Sequence, residues 1–375
     1  MDERKRIEEL RQQLLDTDVE LLRTIERRAR AAQELSKLRS GTARYAPVAD
    51  GSHLAALEKA VSPPLQADSI RPMFNAIDAA CRVFETVPRV VFMGAEGGFG
   101  WTAARTYFGP SAELMRADSP TAAFEEVVRS RAEFAVVPYE SLKEGPIFPT
   151  IQAVVAAELK LVGEREVDQV LSLVNASGNP ADIEKIYVSH QDHAACVLYL
   201  ESNHPRALVV DVRSPSMALE LAAENQGSAA IVPRGAVGAH ETRVAREHRV
   251  ARENIGDEGE IRIRYGVVSR LPAQRSGADA TALLFSVHDH PGALHDILQH
   301  FKEKSCNLRR IQSRPVKAEG WEYLFYVEVS GHVTDRALVA ALEGVKREAK
   351  MLKIVGSFPL EFPDPPQVEA EARPR

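Results

Sequence analysis

At 375 residues the chain is longer than one ordinary domain, and its length predicts about two or three domains. Hydrophobic residues make up 45% of the chain and charged residues 27%, which excludes the fibrous and intrinsically disordered classes. The formal net charge of −6 argues against a general nucleic-acid binder.

The 3 cysteines, Cys81, Cys196 and Cys306, are too few and too far apart for a disulfide framework or a zinc site. This usage indicates a reducing compartment. The N-terminus has no apolar segment typical of a secretory signal, and no apolar run is long enough to span a bilayer. We therefore expect a cytoplasmic protein that acts on small molecules, with no metal, no cofactor and no nucleic-acid or membrane partner.

The first predicted element is one long helix over residues 3–39. Its apolar residues recur at helical spacing, with no Gly or Pro among them: Ile7, Leu10, Leu14, Leu21, Ile25, Ala32 and Leu35. Shorter helices over 53–60 and 69–86 do not suffice to cover this stripe. A second copy of the chain is the simplest partner, which predicts a homodimer.

After Pro88 the pattern changes to alternating strands and helices. Apolar runs predict strands at 89–94, 135–138, 186–189, 207–211, 229–233 and 262–268. Such alternation predicts an α/β domain with mostly parallel strands. Residues 271–279, which contain Pro, Ser and Gly, are a candidate linker.

A smaller unit follows the linker. Strands are predicted at 281–287, 307–316, 321–329 and 351–360, with helices at 292–304 and 335–349. Their order, βαββαβ, is the ferredoxin-like arrangement. The Pro- and Glu-rich tail, 363–375, is predicted to be disordered.

Three motifs in this last unit carry a resemblance to a known family. They are His290-Pro-Gly-Ala-Leu294, the segment from Asn307 to Pro315 and the segment 321–326. In this order they resemble the ACT domain that closes prephenate dehydratases, with its Gly-Ala-Leu and Glu-Ser-Arg-Pro motifs. The resemblance implies that L-phenylalanine binds as an effector where the two motifs meet across a dimer interface. The implied effector residues are Gly292, Ala293, Leu294, Asn307, Leu308, Gln312, Ser313, Arg314 and Pro315.

Physical chemistry agrees with an amino-acid ligand at this motif. Gly292 allows a ligand to approach the backbone closely, and free N–H groups at a helix start favour a carboxylate. Gln312 replaces the family's Glu, which removes a charge but keeps a hydrogen-bond acceptor. The alternative is that Gly292 and Pro315 are only turn residues.

The N-terminal segment 5–39 resembles the all-helical chorismate mutase family through Glu9-Leu-Arg11, Asp18, Leu21-Leu22 and Arg27-Arg28. That pericyclic reaction needs cations for two carboxylates and donors at the ether oxygen rather than a nucleophile. The resemblance implies a site built from Arg11 of a partner chain with Arg28, Arg39, Asp50 and Glu85. The alternative for each Arg is that it extends into solvent.

Several positions depart from the chorismate mutase pattern. Arg39 stands where the family has a catalytic Lys, and His53-Leu54 replaces an Arg-Glu pair. Cys81 and Glu85 stand where the family has a Ser and a Gln that face the substrate. Glu85 would donate to the ether oxygen only when protonated, which would favour low pH.

The α/β segment 89–270 resembles prephenate dehydratase, a two-lobed fold with its site between the lobes. The matching segments are Gly94–Gly100, Val136–Gly145, Ser189-His190-Gln191 and Ile261–Tyr265. The reaction expels carbon dioxide and a hydroxyl group, and so needs groups for carboxylates and an acid for the hydroxyl. The site residues that the resemblance implies are Glu140, Ser141, Ser189, His190, Gln191 and Arg264. Read alone, His190 is more often a surface or structural histidine.

The dehydratase motifs also depart from the family. Ile263 stands where the family has a Thr that serves the leaving group, and Gly98, Gly100 and Leu142 replace other polar residues. Two hypotheses therefore stay open. One is an enzyme resembling a bifunctional chorismate mutase–prephenate dehydratase that takes chorismate and prephenate. The other is a catalytically reduced homologue that senses an amino acid.

The predicted fold class is multidomain α and α/β. It comprises a chorismate mutase-like helical domain (1–87), a two-lobed prephenate dehydratase-like domain (88–271), a ferredoxin-like ACT domain (279–362) and the tail. The expected assembly is a homodimer or a tetramer.

Overall fold

The computed structural model describes residues 3–38, 56–57, 59–66, 69–70, 73–74, 77, 87–239, 248–257, 259, 261–288, 290–318 and 320–360. Within these ranges, the side chains of residues 3, 4, 32, 35–38, 238, 239, 316–318 and 320–322 are not described. The predicted tail, 363–375, lies outside the described residues, as does most of the segment between the long helix and Val87.

The long N-terminal helix, α1, spans Glu3–Leu38 and so agrees with the helix predicted over 3–39. Its large apolar side chains are exposed: Ile7, Leu10, Leu14, Leu15, Val19, Leu21 and Leu22. Charged residues interrupt this stripe throughout. Among the described residues no helix is both long enough and apolar enough to cross a membrane.

Lobe one of the α/β domain is a sheet of six strands with three helices. Its strands are β1 (Arg89–Met93), β2 (Glu113–Ala117), β3 (Phe134–Ser141), β4 (Gly145–Pro146), β5 (Lys160–Asp168) and β11 (Arg262–Ser269). The helices are α2 (Phe99–Phe108), α3 (Pro120–Val128) and α4 (Phe148–Ala156). The strand order is β2-β1-β3-β11-β5, with β4 paired to β3.

Lobe two is a second sheet, of order β10-β6-β9-β7-β8. Its strands are β6 (Leu171–Asn175), β7 (Lys185–Ser189), β8 (Leu208–Val212), β9 (Ser228–Pro233) and β10 (Arg249–Glu253). Its helices are α5 (His190–Ala194), α6 (Val197–Asn203), α7 (Pro215–Glu224) and α8 (Arg234–Ala239). Most predicted strands recur here within a residue or two of their expected ends.

The prediction of mostly parallel strands was wrong, because both sheets are mixed. In lobe one, β11 runs antiparallel to both β3 and β5, and in lobe two β6 runs antiparallel to β9 and β10. The chain passes from lobe one to lobe two directly from β5 to β6 and returns through β10 and β11. Because β5 leads out of lobe one and β11 leads back into it, these two neighbouring strands run in opposite directions, as do β6 and β10 in lobe two.

The C-terminal unit has the predicted βαββαβ order. Its elements are β12 (Asp279–Ser286), α9 (Ala293–Glu303), β13 (Leu308–Ala318), β14 (Gly320–Ser330), α10 (Arg336–Glu348) and β15 (Met351–Pro359). The sheet order is β13-β14-β12-β15 and every pair is antiparallel. The two helices cover one face of the sheet, where Phe285, Phe301 and Leu338 share a core.

The other face of this sheet packs directly against lobe one. Leu284 and Tyr326 of the C-terminal sheet belong to the same buried cluster as Val137 and Ile151 of lobe one. At Gly356 the backbones of β15 and β5 approach so closely that a Cβ would lie 2.0 Å from a backbone oxygen of Leu161. The two units therefore share one hydrophobic core.

Candidate functional site

The Gly-rich turn of lobe one, Gly94–Gly100, lies where the two lobes meet. A Cβ built on Gly97 would lie 2.8 Å from the Ser216 hydroxyl oxygen of lobe two. The Ser216 backbone N–H donates to the Glu96 carbonyl oxygen at 3.4 Å. Phe99 packs against the cores of both lobes. The turn after β1 thus contacts the start of α7, which follows β8.

This contact brings together the carboxyl-terminal ends of strands from both sheets. In lobe one, β1 and β3 are parallel, and in lobe two β7 and β8 are parallel. Ser141 ends β3 and Ser189 ends β7. Ligands of open α/β sheets bind at the carboxyl ends of strands, so the seam between the lobes is the candidate substrate cleft.

Ser189 is buried and caps helix α5. Its hydroxyl donates to Asp192 Oδ2 at 2.7 Å and accepts from the Asp192 backbone N–H at 3.2 Å. Burial raises the pKa of the Asp192 carboxyl from 3.8 to about 6, although the Ser189 hydrogen bond acts in the opposite direction. The Ser189 hydroxyl is thus engaged within its own helix turn.

His190 and Gln191 are the exposed members of the same motif. The His190 side chain is 92% exposed, and its Nδ1 lies 3.8 Å from Oδ2 of Asp211. The other carboxylate oxygen of Asp211 lies 2.9 Å from Nδ1 of His193. His190 is therefore accessible to a ligand and has a carboxylate within reach of its ring.

Adjacent residues of β11 point to opposite faces of the lobe-one sheet, as in any strand. Ile263 pairs with Ser141 and packs with the cluster that contains Trp101 and Tyr265, on the side of α2. Ile263 and Ser141 are therefore neighbours on the face that leads to the Gly-rich turn. Arg264, one residue on, points the other way.

Arg264 is 1% exposed and lies at the centre of a buried charge cluster. It donates to Glu140 and Glu164 of lobe one, and its Nη1 donates to Glu328 of the C-terminal sheet at 3.0 Å. Its guanidinium carbon also lies 5.0 Å from the centre of the Tyr139 ring. The structure therefore places Glu140 and Arg264 in the seam between lobe one and the C-terminal unit, where both contact protein groups.

The cluster contains residues that were not among the predicted site residues. Arg310 of β13 donates to Glu140, and its Nε lies 3.3 Å from Oε2 of Glu328. Tyr326 donates to Glu328 at 2.7 Å, and Tyr139 donates to Glu164 at 2.8 Å. The sequence feature that could have indicated this buried charge cluster is Glu328, an acidic residue within the apolar run 324–329.

The electrostatics of the cluster favour neutral tyrosines and a charged Arg264. Burial raises the pKa of Tyr139 and Tyr326 well above 10, and the charge of Glu328 raises both further. For Arg264 burial lowers the pKa, but Tyr139, Glu328 and Glu140 more than offset it, so the net pKa is raised. Both phenols therefore remain hydrogen-bond donors to carboxylates.

The predicted mutase residues are only partly described. Arg11 is exposed, with Nη1 4.0 Å from Oε2 of Glu8, and Arg28 is partly buried. Arg39, Asp50 and Glu85 lie outside the described residues. Arg11 and Arg28 both lie on α1.

The predicted effector residues lie on two elements of the C-terminal unit. Gly292 precedes α9 with φ +88°, a left-handed conformation that favours glycine, and Ala293 and Leu294 begin the helix. Asn307 and Leu308 lie at the start of β13, and the exposed residues Gln312, Ser313, Arg314 and Pro315 lie within it. Because β13 is at the edge of the sheet, its outer side is open to another chain.

No group of three or more His, Cys, Asp or Glu side chains in the described part of the chain is arranged to hold a metal ion.

Comparison with known proteins agrees with this architecture. Residues 90–272 match the family model "Prephenate dehydratase" and residues 281–347 match the model "ACT domain". A solved structure of prephenate dehydratase in complex with L-Phe from Arthrobacter aurescens is 29% identical, with a TM-score of 0.57. The match covers 74% of this chain and 92% of that chain.

Full-length relatives extend the match to the N-terminal helix. The bifunctional chorismate mutase/prephenate dehydratase of Aquifex aeolicus is 30% identical over 94% of this chain and 98% of the relative. The protein of the same description from Pseudomonas aeruginosa is 29% identical over 96% of this chain and 99% of the relative. The similarity spans the N-terminal helix, both lobes and the ACT domain in the same order, so the chain belongs to the bifunctional chorismate mutase/prephenate dehydratase family.

Proposed function

We propose that this chain converts chorismate through prephenate to phenylpyruvate in L-phenylalanine biosynthesis, with L-phenylalanine as its inhibitor. The observation that carries the proposal is the similarity over nearly the full length to bifunctional relatives. The proposal includes the division into a mutase-like domain (1–87), a dehydratase-like domain (88–271) and an ACT domain (279–362), and a cytoplasmic location.

For the dehydratase step, prephenate would lie between the lobes. Its ring carboxylate leaves as carbon dioxide, the electron pair of that bond completes the aromatic ring, and the ring hydroxyl departs after it takes up a proton. The Gly-rich turn before α2 contacts the start of α7 at this seam, and the N–H groups at the start of a helix such as α2 favour a carboxylate.

His190 is the proposed proton donor for the departing hydroxyl. It follows β7 directly, is exposed, and has a carboxylate oxygen of Asp211 3.8 Å from its ring nitrogen Nδ1. Ser141, opposite Ile263 on the adjacent strand, is the proposed polar contact on lobe one. Ser189 and Gln191 complete the substrate motif, with Ser189 holding the start of α5 in place. Glu140 and Arg264 act behind the cleft rather than on the substrate.

The mutase step requires two chains. Arg28 of one copy and Arg11 of the other would hold the carboxylates of chorismate, as the family resemblance implies. Arg39, Asp50 and Glu85 would supply the remaining polar contacts. Arg39 in place of Lys changes a compact ammonium to a planar guanidinium, so we expect the mutase to be slow.

A second function, amino-acid sensing without turnover, is favoured by one specific observation. Ile263 is an apolar residue on the cleft side of β11, where the family places a donor. Gly98, Gly100 and Leu142 remove further side-chain polar groups from the same region. In this alternative the ACT domain would still bind L-phenylalanine. The dehydratase domain would change conformation when the ACT domain is occupied, but it would not turn over substrate.

Incubation of the purified protein with chorismate and, separately, with prephenate distinguishes the two functions. The enzyme proposal expects prephenate formation from chorismate and slow formation of phenylpyruvate from prephenate, both lost on adding L-phenylalanine. His190→Asn should abolish the second reaction only. The blank without enzyme must be run at neutral pH, because prephenate loses water slowly in acid. Product at the rate of that blank, with L-phenylalanine binding intact, would favour the sensor instead.

A further inference from the structure

The strand β13 has two faces with different neighbours. Arg310, Gln312 and Arg314 alternate along it and pair with Glu328, Tyr326 and Leu324 of β14. Those partners lie on the face that packs against lobe one. The intervening residues Ser313 and Pro315, which belong to the effector motif, lie on the opposite face.

Arg310 connects this strand to the end of β3. Its guanidinium donates to Glu140, which is 4% exposed and which Arg264 binds through its other oxygen. Glu140 immediately precedes Ser141, the residue at the candidate cleft. One side chain of the ACT domain thus holds the residue next to the cleft.

Two further contacts occur in the same order along β13 and along residues 140–148 of lobe one. Gln312 lies against Gly145 of β4, where a Cβ would be 3.5 Å from the Gln312 amide. The guanidinium of Arg314 lies 5.9 Å from the centre of the Phe148 ring at the start of α4. The face of β13 that carries Arg310, Gln312 and Arg314 therefore lies along residues 140–148 of lobe one.

We propose that β13 is the element through which the ACT domain controls the dehydratase cleft, with Arg310 as the positioning residue that holds Glu140. The proposal rests on the proposed binding of L-phenylalanine at the motif that β13 shares. Side chains on one strand move together, so a displacement of β13 caused by the ligand must also move Arg310. Because Glu140 and Glu328 are almost fully buried, loss of Arg310 would leave their charges without this partner, so the ion pairs follow the displacement rather than break.

Hydrogen exchange measured by mass spectrometry on the full chain, with and without L-phenylalanine, tests this proposal. In the wild type we expect the ligand to change amide exchange in residues 134–148 as well as in β13. Arg310→Gln should still bind L-phenylalanine in calorimetry but lose the change in 134–148. Arg347→Gln, which removes the same charge from an exposed position of helix α10, is the matched control and should behave as the wild type.

The outcomes separate this inference from the proposed function. If the wild type binds no L-phenylalanine, the effector assignment itself is wrong. If it binds and Arg310→Gln keeps the full change in 134–148, the coupling role of Arg310 is wrong. Should Arg310→Gln not fold, Arg310→Lys replaces it, because one ammonium cannot reproduce the planar fork that contacts two carboxylates. That variant should lose at least about half of the change, and full retention would overturn the inference.

Discussion

Asp192 lies in the first turn of α5 and is nearly fully buried, with the helix-capping Ser189 as its hydrogen-bond partner. Its folded-state pKa of about 6 lies above the ordinary value of 3.8. Protonation is therefore easier in the folded state, and the group stabilises the fold most below its unfolded pKa. That contribution is lost as the pH rises through about 6.

Asp192→Asn should flatten the dependence of stability on pH, since the amide keeps an acceptor for Ser189 and does not titrate. Between about pH 4.5 and pH 7 the wild type should lose about 2 kcal/mol more unfolding free energy than the variant. Urea denaturation at the two pH values measures this, with Asp118→Asn at an exposed site as the control. Equal slopes for wild type and Asp192→Asn would contradict the assignment.

Ile263 cannot donate a proton. It lies opposite Ser141, so the candidate cleft lacks a proton-donating side chain at this position. Proton donation by a positioned side chain typically contributes about 10²–10⁴ in rate. With no donor at position 263, the proton would come from His190, whose 92% exposed side chain is less firmly positioned, so we expect very low dehydratase activity. Ile263→Thr alone should not fully restore it, because Gly98, Gly100 and Leu142 leave substrate poorly oriented. A misplacement of ~1 Å can cost about 100-fold.

Phenylpyruvate absorbance measured from prephenate at neutral pH tests this expectation. Ile311→Thr, the same substitution at an exposed position of β13, is the control. Wild-type turnover of about several per second, the ordinary range for enzymes, would contradict it and would mean that the existing donors, His190 among them, suffice.

At the scale of elements, the sequence predicted the helices and strands whose hydrophobic pattern is visible within their own segment. The ACT strands and helices fall within about two residues of their predicted ends, because each has a clear period and a turn at both ends. Five strands were missed: β2, β4, β5, β6 and β10. Among them, β5 and β6 connect the two lobes, and β5 carries many charged residues and so shows neither a clear alternation nor an apolar run. Their antiparallel pairing depends on contacts with β11 and β9, which are distant in sequence.

The candidate site could likewise be predicted only where it consists of residues that are contiguous in sequence. Motifs such as Ser189-His190-Gln191 are contiguous and could be read directly, and the structure places them at a strand end. The role of Glu140 and Arg264 could not be read, because it depends on Glu164, Glu328 and Arg310 from three separate strands. A motif match identifies residues but does not say which face of a strand they occupy.

The start of α9 is the element on which effector binding depends most. Gly292 has an open approach, since the atoms nearest to a Cβ at this position would be the Asp296 carboxylate oxygens, the closer at 3.9 Å. Gly292→Trp should fill that space and abolish L-phenylalanine binding in calorimetry. Gly277→Trp is a matched control, because Gly277 also has a positive φ, of 92°, and so carries similar backbone strain away from the motif.

Binding by Gly292→Trp with wild-type affinity would place the effector elsewhere. Loss of binding in both variants would instead indicate that strain in the fold, rather than the filled space, is responsible.

At the scale of the whole molecule, α1 is the helix whose apolar side chains a single chain leaves exposed to solvent. A helix of 36 residues exposes leucines over its first six turns, and Leu14 alone is 66% exposed. An isolated helix with this composition would be marginal in water, because most helical stability in proteins comes from packing of the apolar face. We therefore expect a second copy of the chain to cover it, and the open edge of β13 allows a further pairing that would give a tetramer.

Leu14→Lys should weaken the packing of α1, because it places a charge in the apolar stripe of both copies. We expect faster amide exchange across residues 5–31 and, where α1 is the main contact, a lower molar mass by light scattering. Gln12→Lys adds the same charge on the opposite side of the helix and should leave both properties unchanged. A wild-type protein that is monomeric at micromolar concentration would exclude the dimer. A mutase site that needs Arg11 from a second chain would be excluded with it, since Arg11 and Arg28 lie about 25 Å apart along the same helix and cannot meet within one copy.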